Sequence, residues 1–405
     1  MNMNRWGIGV GLGLLATACA GWTQRAEYLP LELLDPSRPE GGIRVWKLDL
    51  YPSVSAGGEY NDNITYLRTA GRSDFVWSVS PSITAVAGTA KRLSLTYTPS
   101  AQFYTRNSDF TRLNHSASLG LSWPMSKLSL NFGATYSDTL SSDIVVGSMA
   151  QSRSLSLTAG ANYPWTQKIS TAHNVRFSFQ DYGNYYGTVG VPGGGLIGYM
   201  DWGTDHWVRY RYSDKTGFSL GVSAGQQNAQ RAGVDSVYER VLASVDYALT
   251  EKVSATLAVG PEFRQYTGGA SDSVGIVFNA TGSWRPTDRT GLTLSASRSQ
   301  SPSPVVGGEN YVNTSVTLGV NQRLFDRIGA NVSFGYSNVG SAHSAPGAGT
   351  NRDDDYVLAR IGLNMTIGRN WTFGIHYERR ESLSDNTSSY AFSNNRAGFN
   401  LSWRY

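Results

Sequence analysis

The chain has 405 residues, only 16% of them charged, with 45 glycines and a formal net charge of +4; an average soluble domain carries roughly 25% charged residues. A mean hydropathy of −0.30 excludes a bundle of membrane-crossing helices, and 23 Tyr, 11 Trp and 14 Phe exclude a disordered polymer. The small net charge, with no Lys/Arg cluster along the chain, argues against nucleic acid as a partner.

At the N-terminus, Arg5 precedes an apolar run from Trp6 to Ala20. That run is shorter than the roughly 20 residues a helix needs to cross a bilayer. It reads as a secretory signal peptide over residues 1–20, cleaved after Ala20. Leu15 to Cys19 also reads as a loose lipobox, which would make Cys19 a lipidated N-terminus. Cys19 is the only cysteine, so no disulfide supports the exported protein. Residues 21–46 are expected to form a periplasmic segment and residues 47–405 a single unit.

From residue 48 onward, apolar residues alternate with small or polar ones in segments of about ten, the period of a half-buried strand. Leu128, Leu130, Phe132, Ala134 and Tyr136 interleave with Ser129, Asn131, Gly133, Thr135 and Ser137. Leu155 to Tyr163, Phe218 to Ala224, Val274 to Trp284, Ile328 to Tyr336 and Trp371 to Tyr377 repeat the pattern. Connections take turns between two kinds. Short ones, such as Trp123 to Lys127, Tyr163 to Lys168, Tyr247 to Lys252 and Trp284 to Arg289, place Pro or a hydroxyl beside an aromatic strand end and predict tight hairpins. Long ones, Asp138 to Gln151, Asp181 to Gly203, Ser299 to Asn310 and Asn338 to Asp355, are rich in Gly, Ser, Asn and Asp and predict mobile loops.

A two-sheet sandwich would alternate too, but its outward faces would carry Lys and Glu, whereas the polar faces here are Ser, Thr, Asn, Gly and sparse Arg. Aromatics at the short-turn ends (Trp123, Tyr163, Tyr212, Tyr247, Trp284) suit an interfacial girdle. The pattern therefore predicts an all-β fold, a single transmembrane antiparallel up-and-down β-barrel of about 18 strands, with the short turns facing the periplasm. Phe399, Leu401, Trp403 and Tyr405 end the chain on an alternating apolar strand with a terminal aromatic. Phe399, Trp403 and Tyr405 are expected to form the signal read by the barrel assembly machinery.

The stretch Tyr51-Pro52-Ser53-Val54-Ser55-Ala56-Gly57-Gly58-Glu59-Tyr60-Asn61-Asp62-Asn63-Ile64 resembles the first strand and loop of the β-barrel porins found with bacterial exopolysaccharide and exosortase systems. The resemblance extends to the short turns and would cover residues 47–405. It implies a Gram-negative outer-membrane location, lipid and lipopolysaccharide as surroundings, and a part in polysaccharide export beside a periplasmic export protein. It carries over no catalytic residue.

No arrangement of side chains points to chemistry. His115, His173, His206, His343 and His376 lie on separate segments without metal-ligand spacing, and no Gly-x-Ser-x-Gly elbow occurs. His115, His173 and His206 share the apolar parity and read as isolated interfacial residues. Asp353-Asp354-Asp355 suits a solvated loop tip better than a Ca²⁺ site, and Gly193 to Gly195 lacks the context of a phosphate loop. No catalytic residue, metal or cofactor is expected. Strand parity turns Arg106, Arg176, Arg209, Arg211, Arg240, Arg264, Arg360, Arg396 and Arg404 toward the lumen, against the acids Asp49, Glu59, Asp246, Glu262 and Glu378. Such guanidiniums would favour an anionic permeant; equally, they would pair with the acids and stiffen the wall. Arg176, Arg209 and Arg211 are expected to form a continuous basic strip. The reading that follows is a passive conduit for an anionic polysaccharide. Its alternatives are a small-solute porin with the same barrel and a non-conducting structural or adhesive barrel. Residues 21–46 are too few for the plug of a TonB-type receptor.

Overall fold

The computed structural model describes residues 42–405 apart from 70, 90, 187–194, 231–234, 268–271, 307–308, 344–351 and 385–389. The predicted signal peptide, Cys19 and Gly193-Gly194 lie outside the described residues. So do most of the Asn338 to Asp355 loop and the centre of the loop expected over 181–203. A short strand β1 (Ile43–Val45) is followed by β2 (Leu48–Asn61), β3 (Asp74–Ala87), β4 (Arg92–Tyr104), β5 (Arg112–Pro124), β6 (Ser129–Asp143), β7 (Ser148–Pro164), β8 (Ile169–Tyr185), β9 (Tyr199–Arg211) and β10 (Thr216–Ala229). The second half comprises β11 (Ser236–Thr250), β12 (Val253–Tyr266), β13 (Ser273–Thr287), β14 (Thr290–Pro302), β15 (Asn310–Phe325), β16 (Ile328–His343), β17 (Asp353–Ile367), β18 (Trp371–Ser382) and β19 (Ser393–Arg404). The one helical element among the described residues is a 3-10 turn, Ser108–Phe110.

Strands β2 to β19 pair antiparallel with their sequence neighbours, and β19 pairs back onto β2 from Arg404 opposite Ser53 to Arg396 opposite Asn61. The sheet is therefore a closed barrel of 18 strands, and closure leaves neither edge unpaired, as a lipid surround requires. By strand spacing and tilt it is about 36 Å across between opposite backbones. β1 lies beside the first residues of β2, Ile43 opposite Leu50, in line with the end of β19.

Alternation decides which residues face lipid. Trp77, Val79 and Ile83 on β3, Leu93, Leu95 and Tyr97 on β4, and Val274 and Ile276 on β13 are exposed on the outside. The intervening Ser and Thr face in, where cross-strand hydroxyls satisfy each other: Ser80–Ser100 at 2.7 Å, Ser82–Thr98 at 2.6 Å and Thr84–Thr96 at 2.9 Å. Hydroxyls that both donate and accept suit this arrangement, because neither partner is left unsatisfied. Trp123, Tyr212, Tyr247 and Trp284 stay exposed at the short-turn ends, as an aromatic belt requires, and Lys91 Nζ lies 4.4 Å from the Trp123 ring.

Two loop expectations are corrected. The segment Asp138 to Gln151 is not an open loop: β6 and β7 pair continuously up to Asp143 opposite Ser148. Asp353, Asp354 and Asp355 are not a loop tip but the start of β17. Asp353 accepts from Asn338 Nδ2 at 2.8 Å, Asp354 meets Arg352 at 2.7 Å, and Asp355 accepts from the Tyr336 hydroxyl at 2.6 Å. Local partners therefore use the carboxylates that a cation would need.

Candidate functional site: the barrel lumen

The β6–β7 hairpin reaches into the barrel. β6 continues past Tyr136, its last outward apolar residue, and the eight further residues to Ile144 span about 27 Å when extended. The tip is Ile144-Val145-Val146-Gly147. Asp143 shapes it by accepting from the backbone N–H of Val145 at 2.7 Å and of Val146 at 3.3 Å, while the Gly147 N–H donates to the Asp143 carbonyl at 2.8 Å. Gly147 has φ +71°, and a Cβ there would lie 2.5 Å from the Tyr390 ring, so the turn is built for glycine.

Ile144 and Val145 pack with Val339 on β16, Tyr356 on β17, and Tyr66 and Phe392 from neighbouring loops. Val146 packs with Val305 and Leu196. In the ring β16 is ten strands from β6 one way and eight the other, so the tip meets the opposite wall. Arg352, just before β17, donates to the carbonyls of Val145 at 2.5 Å and Ile144 at 2.7 Å and to the Tyr356 hydroxyl at 3.0 Å. It also pairs with Asp354 and stacks 3.6 Å from the centre of the Tyr390 ring. Burial works against its charge, but Tyr356, Asp354 and Tyr390 together hold its pKa above the ordinary value. Tyr66 is fully buried at φ +54°, a backbone state costly for a residue with a Cβ, and stacks on Phe392 at 4.2 Å.

Below the hairpin, two charged patches face each other. On β8 to β12, Arg176 pairs with Asp205 and lies 3.5 Å from Asp201. Glu262 pairs with Arg240 at 2.6 Å and Arg264 at 2.8 Å. The Tyr238 ring takes the Arg240 and Arg264 guanidiniums at 4.7 Å and 4.9 Å. On β17, β18, β19 and β2, Glu378 pairs with Arg380 at 2.7 Å and Arg360 at 3.3 Å, and Glu59 accepts from His376 at 2.9 Å, with Arg396 at 4.0 Å. The Tyr66 hydroxyl accepts from Arg396 at 2.7 Å and Arg380 at 3.0 Å.

The predicted lumen residues are thereby divided. Arg176, Arg240, Arg264, Arg360 and Arg396 face inward and are ion-paired, as are Glu59, Glu262 and Glu378. Asp49 lies 3.9 Å from Arg44, and Asp246 accepts from Thr256 at 2.9 Å. Arg106 is not on the wall: it follows the end of β4 in the loop to β5. The continuous strip does not form either. Arg176 is level with Gly203 while Arg209 is level with Ser170, six residues or about 20 Å along the strand. Asp201, Asp205 and Arg380 also face in and were missed, Asp201 because its segment reads as loop. Where these pairs form, the expected Arg excess of the inward faces is therefore largely cancelled by carboxylates.

Arg209, Arg211 and Arg404 do face inward, at the short-turn end, and make no ion pair with a described residue. His173 and His206 are not isolated: they are direct cross-strand neighbours on the outer face, Nδ1 to Nδ1 2.9 Å. His115 Nδ1 is 2.9 Å from the Tyr97 hydroxyl. No group of three or more His, Cys, Asp or Glu that could hold a metal occurs among the described residues. At the end of the chain, Phe399 and Trp403 face out with Leu401, and the Tyr405 N–H donates to the Pro52 carbonyl at 3.1 Å, so the last residue is stitched to the first long strand.

No curated protein matches the chain. Among solved structures it is similar to OccK3 (OpdO) of Pseudomonas aeruginosa, at 13% identity and TM-score 0.45 over 88% of this chain and 96% of that one. Similar too are OccK2 (OpdF) of Pseudomonas aeruginosa, at 10% identity and TM-score 0.47 over 88% and 98%, and OpdL of Pseudomonas aeruginosa, at 10% and 0.45 over 89% and 99%. Residues 271–405 match the family described as "Putative beta-barrel porin 2". That segment holds the last seven strands. The closed sheet with its apolar, lipid-facing outer surface is an outer-membrane β-barrel of a Gram-negative bacterium, and its C-terminal third is similar to a β-barrel porin family.

Proposed function

We propose that this porin-like barrel is a passive channel for small polar solutes, narrowed by its own β6–β7 hairpin. The observation that carries the reading is the tip Ile144 to Val146 seated against the opposite wall and held by Arg352. A solute passes between the hairpin and two walls of paired charge, where fixed dipoles and ions exchange for its hydration. The proposal gives the residues no chemical step.

Export of an extracellular polysaccharide rests on the resemblance carried by Tyr51 to Ile64 and the short turns. An apolar hairpin across the bore supports it less well, because an extended sugar chain has to thread past a fixed obstacle. A periplasmic export protein and lipopolysaccharide remain proposed partners on the same basis. Purified protein in planar bilayers and in liposomes tests these readings together. Discrete conductance steps, with glucose permeant and a long dextran excluded, are expected. Dextran passage would favour the polysaccharide, and an intact barrel without conductance would favour a structural or adhesive role.

A further inference from the structure

Each of the eight short turns carries a cation: Lys91, Lys127, Lys168 and Lys215 in the first four, Lys252, Arg289, Arg327 and Arg369 in the last four. Four acids, Asp214, Glu251, Asp288 and Asp326, offset half of them. The strand ends just above these turns add cations that point elsewhere. Register fixes their direction, since residues directly opposite each other across two strands share a face. Arg92 lies opposite Ser122, Arg209 opposite Ser170 and Ser219, Arg211 opposite Gly217, Arg323 opposite Gly329 and Arg404 opposite Ser53. All of these partners belong to the inward set, so the five guanidiniums face the bore rather than the lipid. None of the five makes an ion pair with a described residue, unlike the arginines nearer the long-loop end, and two inward acids, Asp49 and Asp246, lie toward the same end.

We infer that the periplasmic mouth is an anion-collecting vestibule, so that the solutes this channel takes are carboxylate- or phosphate-bearing anions. This rests on the channel reading above and names its substrate class. The physical reason is the contrast between two levels of one bore. Toward the long-loop end three guanidiniums (Arg176, Arg240, Arg264) face three carboxylates (Asp201, Asp205, Glu262) within hydrogen-bonding or ion-pairing distance, and their fields cancel a few ångströms away. At the mouth the five guanidiniums have no described carboxylate within ion-pairing distance, and low-dielectric walls focus their field along the axis. Guanidinium also matches carboxylate and phosphate with two parallel hydrogen bonds. The selecting element is therefore the mouth, which raises the local anion concentration, while the neutralised constriction lets the anion leave without a trap.

Reversal potentials in a KCl gradient test this with the full-length protein. The wild type is expected to prefer chloride over potassium several-fold at about 0.1 M salt, with the preference fading by 1 M, where the screening length falls to about 3 Å. Changing Arg209, Arg211 and Arg404 together to Ser is expected to bring the ratio to or below one, and changing the same three to Lys to preserve it. Phosphate or glucuronate added to the bath should compete with the chloride current in the wild type and in the Lys variant. A conducting wild type that is unselective or cation-selective overturns the inference and leaves the channel reading standing. So does an unchanged ratio in the Ser variant. Absence of conductance overturns both. Should the Ser variant fail to assemble, the salt dependence and anion competition of the wild type decide alone.

Discussion

Glu262 answers two guanidiniums at once, and both it and Arg264 are almost wholly buried. Removing its charge leaves Arg240 and Arg264 desolvated without a counter-ion, a loss of about 3–5 kcal/mol for a buried pair. Glu262→Gln is accordingly expected to lower the temperature at which the barrel loses its heat-modifiable gel mobility. The more exposed Asp246, bonded to Thr256, should tolerate Asp246→Asn with a change within about 1 kcal/mol. Equal shifts for the two variants would show that the inner ion pairs are not the structural ties described. Arg352 is the other residue on which much depends. Arg352→Ala removes the guanidinium beside buried Asp354 and the donors to the Ile144 and Val145 carbonyls, so the hairpin tip should come free. The checks are a higher single-channel conductance and new protease cleavage near Val145 with the barrel itself intact; an unchanged conductance with the tip still protected counts against the latch.

The β6–β7 hairpin also shows where sequence reading succeeds and where it stops. Lipid imposes alternation on every strand, so the outward sets on β6, β7, β13, β16 and β18 were legible from apolar spacing alone, as were closure, strand number and the short-turn girdle. Ile144-Val145-Val146 was not recognised, although three consecutive apolar residues flanked by Ser141-Ser142-Asp143 and Gly147-Ser148 had no reason to face water. That was the available signal. The partners were beyond reach for another reason: Arg352 and Val145 are 207 residues apart, and Glu59 and His376 are 317 apart. Such pairs depend on strand register around the ring, which a periodicity does not specify. Replacing Ile144, Val145 and Val146 with Gly or Ser removes the apolar seat against Val339 and Tyr356 and should enlarge the conductance without blocking assembly. β19 makes the opposite prediction. Tyr405 closes the last strand onto Pro52, and Tyr405→Asp puts a charge where an aromatic is read at the membrane interface; loss of folded barrel and periplasmic degradation are expected, and normal levels of heat-modifiable protein would contradict that role.

Considered whole, the described residues form a closed wall with an obstacle reaching in from one end, ion pairs beneath it and, at the other end, arginines that pair with no described acid. The two ends are assigned by turn length, with the short turns periplasmic. Protease added to intact cells should therefore spare Trp165 and Thr287. Cleavage there would invert the molecule and move the arginine-lined mouth to the cell surface. The central claim is that the barrel conducts and that the hairpin sets how much. Single-channel recording of the wild type beside the variant with Gly or Ser at 144, 145 and 146 addresses it most directly. Small discrete steps in the wild type and larger ones in the variant are predicted. Silence from both, with folded barrel confirmed in the same bilayers, or identical steps from the two, would contradict it.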